Sequence, residues 1–395
     1  MMNLDVASSE SIIFSIFIIF TSAAVLATFA LFARQALLVA YIAVGVILGP
    51  SVLNFVSDTE FSRQIAKVGI MFLLFLLGLN LHPQKLIASI KQSTLITLGA
   101  AFIFALIGFA AAWAIGLTLL DQLVVAGAFM FSSTIIGLKL LPTTVLHHQH
   151  VGEIIISILL LQDIIAIILL LLIETQGSNT STIYALGKLA LALPSLIAFA
   201  FLIERFVLIK LMSKFDKIKE YIFLLAIGWC LGIAELAHYI GLSHETGAFI
   251  AGVSIAVGPI SFYISESLKP IRDFFLVIFF FSLGASLDIG LAWKLLLPAI
   301  ITSSVLLFIK PYLFAYLIKK SGESDHDSKE IGVRLGQLSE FSLLLGFVAF
   351  SAGLISLKAS NFIQVCTIVS FVLSTYLIVL KYPTPIAISD RLRRD

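Results

Sequence analysis

Charge is scarce in this chain of 395 residues: Asp, Glu, Lys and Arg together make up 12% of it, against 60% hydrophobic residues. Soluble domains carry about 25% charged residues. The mean hydropathy of +1.10 therefore excludes an ordinary water-soluble globule and points to a chain dissolved mostly in lipid. A formal net charge of +2 leaves no basic field for a nucleic-acid partner. Cysteine is limited to Cys230 and Cys366, both inside apolar runs, which excludes a disulfide framework and a thiolate metal site. The sequence has no phosphate-cradling glycine loop, no nucleophile with a base at a plausible spacing, and no soluble stretch to house either, so it carries no sign of an enzyme or of a resident cofactor. No charged n-region or small-residue cleavage site precedes the first apolar stretch, which reads as a retained helix and not a signal peptide.

What is present is apolar sequence, divided by charge and turn clusters into thirteen candidate spans. They lie at roughly 11–31, 36–56, 64–81, 92–120, 122–141, 152–173, 183–211, 220–240, 244–258, 270–287, 292–318, 331–353 and 360–381. A helix crossing the hydrocarbon core needs about 20 apolar residues, so the reading is an all-α polytopic membrane protein with about 13 transmembrane helices. Of the 25 Lys and Arg residues, 18 fall in the loops of one side, 4 in those of the other and 3 within spans. The side rich in Lys and Arg is the cytoplasmic one, which places the N-terminus outside and the C-terminus inside.

An internal repeat is visible. Tyr41–Gly45 followed by Gly49-Pro50 echoes Phe249–Gly252 followed by Gly258-Pro259, and Leu77–Leu81 echoes Leu283–Leu287. Seven crossings separate the second span from the ninth, so the two halves run in opposite directions through the membrane, as in secondary transporters. Ser132-Ser133-Thr134 in the fifth span corresponds to Ser339-Glu340-Phe341 in the twelfth. Such polar clusters mark unwound backbone, which a membrane tolerates only where it is buried in protein or lines a cavity. Two broken helices with inverted repeats are the expectation.

The most informative residue is Asp163, which follows Gln162 inside the apolar run Ile154–Ile173, about 15 Å from either end at helical rise. A carboxylate at that depth costs at least ~2.5–3.5 kcal/mol on insertion scales and marks a cation or proton site. The hydroxyls and carbonyls around Ser132, Ser133 and Thr134 supply hard oxygens suited to a partly dehydrated alkali cation. Lys310 is a second buried charge, followed by Pro311, which removes a backbone donor. A lysine so deep needs a partner, and Asp163 and Glu340 are the two candidates. Glu340, Gln337 and Arg334 read as a polar network around the second broken helix, structural or gating in role. Glu235, His238, His244 and Glu245 line the outer end of the eighth span. His147, His148 and His150 share a loop without acidic or thiol companions, which argues against a metal site there.

Leu161–Ile164, the Gly78–Leu81 and Gly284–Asp288 segments, Ser133-Thr134 and Gln337–Phe341 together resemble the monovalent cation:proton antiporter-2 family, in particular its potassium–proton branch. The resemblance runs from about residue 11 to 381. It implies the sodium–proton antiporter-like fold, with two crossing broken helices, and an elevator-type homodimer in a bacterial inner membrane. The division it implies is residues 1–91 for dimerisation-domain helices 1–3, 92–173 for core helices 4–6, and 174–219 for a linking helix. Residues 220–290 then form dimerisation-domain helices 8–10, and 291–395 form core helices 11–13 with a short cytoplasmic tail. Asp163 would be the shared cation and proton site, and Lys310 the buried core lysine. Ser339 stands where members commonly have Gly. The acidic segment of the gated members is only partly matched around Glu266, where Lys269 reverses a charge. The chain stops at Asp395 without the nucleotide-binding domain many members carry, which makes it either a naturally short member or a shortened piece, with a separate cytoplasmic regulatory domain or subunit as a partner.

The expected activity is exchange of a monovalent cation, potassium before sodium, for a proton, one for one because Gln162 leaves a single carboxylate to cycle. The alternatives are a sodium–proton antiporter on the same scaffold and a ligand-gated potassium channel or leak pathway; proton coupling separates exchanger from channel.

Overall fold

The structure is a computed structural model that describes residues 2–55, 59–80, 83–139, 150–176, 182–256 and 261–384, and these residues form an all-helical fold. Helices α1 (Met2–Phe32), α2 (Leu37–Leu48), α3 (Thr59–Asn80) and α4 (Pro83–Ala114) take up the first four spans. The fifth span is divided into α5 (Leu119–Phe129) and α6 (Thr134–Lys139), and α7 (His150–Gln176) follows. Helix α8 (Thr182–Ile203) runs through a π-helical turn, Glu204–Leu208, into α9 (Ile209–Lys214). Next come α10 (Lys219–Tyr239), α11 (His244–Ala256), α12 (Ser261–Ala285) and α13 (Ile289–Lys320). The twelfth span is divided like the fifth, into α14 (Asp325–Arg334) and α15 (Glu340–Ser351), before α16 (Leu357–Lys381). Among the described residues seven helices are long and apolar enough to cross a membrane, and shorter apolar helices include α2, α5 and α15.

Several boundaries differ from those read in the sequence. The break expected at Asp121 comes earlier. Helix α4 ends at Ala114, Gly116 turns the chain at φ 72, and Asp121 lies in the first turn of α5. Thr118 and Asp121 form a reciprocal capping box there, satisfying donors that a helix start leaves open. Helix α4 starts at Pro83 rather than near 92, since proline is tolerated in a first turn, where its missing N–H has no partner to lose. Helix α12 starts at Ser261 and continues through Pro270.

The chain forms two compact units. One comprises Met1–Ser57, Ser89–Leu170 and Leu283–Asp395; the other comprises Asp58–Ala88 and Leu171–Ser282. The first unit holds both broken spans. One part of its core joins Phe104 of α4, Ile155 and Ile158 of α7, Phe314 of α13 and Ile331 of α14. The second unit packs α3, α8, α10 and α11 around residues such as Phe75, Ala200, Cys230 and Ala251. Lipid tails are as apolar as these side chains, so close packing and interhelical hydrogen bonds hold such bundles together more than water exclusion does.

The repeat motifs explain the closest approaches. Within the first unit, a Cβ on Gly284 would lie 3.0 Å from the Val46 nitrogen, and one on Gly49 would lie 2.8 Å from the Ala285 Cα. Within the second, a Cβ on Gly78 would lie 2.8 Å from the Val253 nitrogen, and one on Gly252 2.9 Å from the Leu79 nitrogen. Each motif of one half therefore packs on the complementary motif of the other half, and in both places glycine is what lets two backbones touch. Leu81, Gly258 and Pro259 lie outside the described residues.

Because the obstacle to a side chain at position 252 is helix backbone, Gly252→Val should cost at least about 1–3 kcal/mol by overpacking and lower the melting temperature in detergent. Gly99→Ala, where a Cβ meets nothing within 4 Å, should be neutral or gain about 0.5–1 kcal/mol from helix propensity. Equal melting of the two variants would refute the close-approach account of Gly252.

Candidate functional site

The two breaks meet inside the first unit. Ser132 and Ser133, between α5 and α6, are fully buried, as are Gln337 and Ser339 between α14 and α15. The unwound stretches, four residues between α5 and α6 and five between α14 and α15, leave backbone groups without helical partners, and each such group must find one inside the protein. They find them across the break. Ser132 Oγ donates to the Leu335 carbonyl at 2.7 Å, and Gln337 Nε2 donates to the Ser133 carbonyl at 3.3 Å. Ser342 Oγ donates to the Ala128 carbonyl, and the Leu338 N–H donates to Ser370 Oγ of α16 at 2.8 Å. Ser133 Oγ accepts from Ile136 N at 3.0 Å, and Ser339 Oγ accepts from Phe341 N at 3.1 Å, so the matching serines cap α6 and α15.

Asp163 stands on α7 beside this crossing, 2% exposed. Both of its carboxylate oxygens lie 3.4 Å from Thr134 Oγ1, which donates to them from the first turn of α6. Gln162 Oε1 accepts the Ser132 N–H at 2.9 Å, and Gln162 Nε2 is buried without a hydrogen-bond partner among the described residues. Glu340, 3% exposed, occupies the first turn of α15. A helix start favours negative charge, and both carboxylates use that preference. Of the polar cluster read as cation ligands, Thr134 is the member whose hydroxyl reaches Asp163. The Ser132 hydroxyl is committed to the crossing, and that of Ser133 to the cap of α6.

Lys310 corrects an expectation. It is fully buried, but neither Asp163 nor Glu340 is its partner. Its Nζ donates to the Phe131 carbonyl at 2.6 Å and the Gln337 carbonyl at 3.3 Å, and lies 4.8 Å from the centre of the Phe104 ring. Phe131 lies just past the end of α5 and Gln337 just past the end of α14. A helix C-terminus carries a partial negative charge, so the ammonium compensates two C-terminal ends at once, and the aromatic face adds a cation–π contact. Carbonyls freed by the breaks do the work that the sequence assigned to a carboxylate.

Gln337 and Arg334 do form a network. Gln337 Nε2 also donates to the Arg334 carbonyl at 2.9 Å, and fully buried Arg334 pairs with Glu330 at 2.8 Å and donates to the Pro383 carbonyl at 2.9 Å. In the second unit the His238 and His244 rings stack at 4.2 Å, and His244 Nε2 lies 3.2 Å from Glu235. Lys269 pairs with Glu266 one turn away. His147 and His148 lie outside the described residues, and of His150 only its place at the start of α7 is described.

One group went unremarked in the sequence beyond its place between spans. Asp121, 2% exposed, accepts from Ser356 N at 2.8 Å and Ser356 Oγ at 3.0 Å while closing its own capping box. Ser356 in turn caps α16. One carboxylate thus ties the starts of two helices together, and the Thr118-x-x-Asp121 spacing was the available signal.

Residues 5–380 match the family model of the transmembrane sodium/hydrogen exchangers. The chain is 30% identical over 330 residues to "K(+) efflux antiporter 6" of Arabidopsis thaliana, covering 79% of this chain and 54% of that protein. It is 26% identical over 348 residues to "Iron transporter MagA" of Paramagnetospirillum magneticum, covering 87% and 79%. The fold is similar to that of the sodium proton antiporter MjNhaP1 from Methanocaldococcus jannaschii, with a TM-score of 0.73 at 16% identity over 92% of this chain and 94% of that one. The chain spans about half the length of the first of these relatives.

Removing the ammonium should expose its structural role. Lys310→Met leaves the Phe131 and Gln337 carbonyls without their donor, at about 1–3 kcal/mol for each buried orphan, and should lower the melting temperature in detergent markedly. Asp163→Asn, which disturbs only the long contacts to Thr134, should melt close to the native protein. A Lys310→Met variant as stable as the native chain would show that the carbonyls are satisfied by other means.

Proposed function

The chain belongs to the sodium/hydrogen exchanger family, on its monovalent cation:proton antiporter-2 side, and we propose that it exchanges a monovalent cation for a proton across a bilayer, with Asp163 as the shared site. The observation that carries this reading is a buried carboxylate on α7, beside two crossed broken spans, held among the described residues by one hydroxyl and by no ammonium. Such a group can hold a proton or a cation but not both, and that competition couples the two flows. Alternating access by elevator motion, a homodimer, and a bacterial inner membrane with the N-terminus outside complete the proposal, with a separate regulatory domain or subunit as a further partner.

Potassium is the favoured cargo, supported by the name of the first relative, and sodium is the alternative. Iron, raised by the name of the second, fits the donors less well. Carboxylate, hydroxyl and carbonyl oxygens suit hard cations, whereas iron sites commonly recruit imidazole.

In proteoliposomes an outward potassium gradient should drive proton uptake, and Asp163→Asn should abolish it while the protein stays folded, because an amide cannot alternate between proton and cation. Full exchange by a folded Asn variant would sink the proposal; cation flux without proton movement would favour a channel.

The exchange we propose is one for one, since Gln162 occupies the place where a second acid would add another proton. Such a cycle moves no net charge, so the membrane potential, worth about 2.3 kcal/mol per elementary charge per 100 mV, should not drive it. Clamping the potential with an ionophore should leave the equilibrium pH gradient unaltered. A null point that moves with voltage would establish net charge transfer and make Lys310 the next residue to test.

A further inference from the structure

A groove of about 850 Å³ opens on the first unit between α13, α14 and α16. Its volume lies within the range of small-molecule sites, about 300–1,000 Å³. The wall is apolar, built from residues such as Leu307, Phe308, Ala315, Val333 and Leu373. Phe308 is 66% exposed on the outer surface of α13, the face such a span turns to lipid tails. At the end where α13 and α16 finish, the lining becomes basic and aromatic: Lys319, Lys329 and Lys381, with Tyr316 and Tyr382.

The charge at that end is not balanced. Three ammonium groups face one carboxylate, Asp325, which Lys319 approaches at 2.6 Å and Lys329 also pairs with. Hydrogen bonds from those two lysines hold the exposed Asp325 carboxyl down at about 2, so it remains an anion at neutral pH and one charge must serve two partners. Lys381 has no ion-pair partner among the described residues. Ser328 lines the same groove, 1% exposed, and its hydroxyl has no hydrogen-bond partner among the described residues. A buried hydroxyl without a partner is uncommon and points to a ligand atom that completes it.

We propose that this groove is a binding site for an anionic glycerophospholipid. The acyl chains lie against α13 and α16, and the phosphate sits among Lys329, Lys381 and Ser328. Basic pockets between membrane helices on the cytoplasmic side suit such headgroups, and tyrosines at the mouth suit the boundary between tails and water. An apolar wall continuous with the lipid-facing surface favours a lipid over a soluble anion, and the excess of lysine favours an anionic lipid over a zwitterionic one. The site also adjoins the crossing: Pro311 lines the groove and follows Lys310 directly, while Gly332 and Gly336 close on Pro311 from α14 and its end. A bound lipid therefore steadies α13 where it delivers the buried ammonium.

The test uses the whole chain, delipidated in detergent, with lipid counted by native mass spectrometry and stability followed by melting. Phosphatidylglycerol should bind at one molecule per chain and raise the melting temperature by several degrees, and phosphatidylcholine should not. The Lys329→Gln/Lys381→Gln pair should weaken phosphatidylglycerol binding at least ten-fold. Ala315→Trp, which fills the wall and leaves the lysines in place, should do the same. Equal binding of the two lipids, or native affinity in both variants, overturns the proposal. Inorganic phosphate reproducing the full stabilisation makes this a free-anion site and overturns it too. A loss of dimers rather than of lipid in the variants identifies the occupant as a second copy of the chain and refutes the lipid.

Discussion

An unwound peptide has no water to turn to inside a membrane, and this single constraint organises the first unit. Two spans break within it, and each break leaves carbonyls and amides that a lipid tail cannot satisfy. The fold meets that cost by placing the breaks against each other. Ser132 answers Leu335, Gln337 answers Ser133, and Ser342 answers Ala128. Two further carbonyls, at Phe131 and Gln337, fall to Lys310. Neither broken span would be tolerable without the other, which is why a sequence that breaks one span must break its counterpart.

The same constraint explains where the chemistry sits. Broken helices put two N-terminal ends in the interior, and Thr134 and Glu340 occupy their first turns. Asp163 on the unbroken α7 reaches one of them. The exposed backbone partial charges at these ends are fixed by the fold and need no reorganisation when a small ion arrives. Outside the crossing the packing is backbone on backbone at Gly252 and Gly284, which suits rigid elements.

Much of this was legible in the sequence, and the reasons differ by element. Each of the thirteen expected segments contains a helix or a divided pair, because a run of apolar residues long enough for a membrane has few other folds open to it. Both breaks fell where hydroxyl clusters interrupt apolar runs, at Ser132 and Ser339. Helix ends were less legible: α4 begins at Pro83 and α12 at Ser261, since a helix continues past the lipid boundary wherever backbone bonds favour it, and hydropathy does not record that. The partner of Lys310 was misread for a related reason. Sequence displays side-chain charge, whereas the groups that hold this ammonium are main-chain carbonyls, which every residue carries and only a fold can aim.

That correction bears on the exchange proposed here. Had Lys310 paired with Asp163, every arriving cation would have had to displace an ammonium from the one carboxylate, and the lysine would have belonged to the transport cycle. Held instead by two helix ends and the Phe104 ring, it belongs to the scaffold, and among the described residues the carboxylate stands with no tie stronger than two 3.4 Å contacts to Thr134. A site that must hold and release its occupant in every turnover needs a weakly tethered acid of that kind. The proton and the cation then compete for one charge, and the neutral amide at Gln162 adds none.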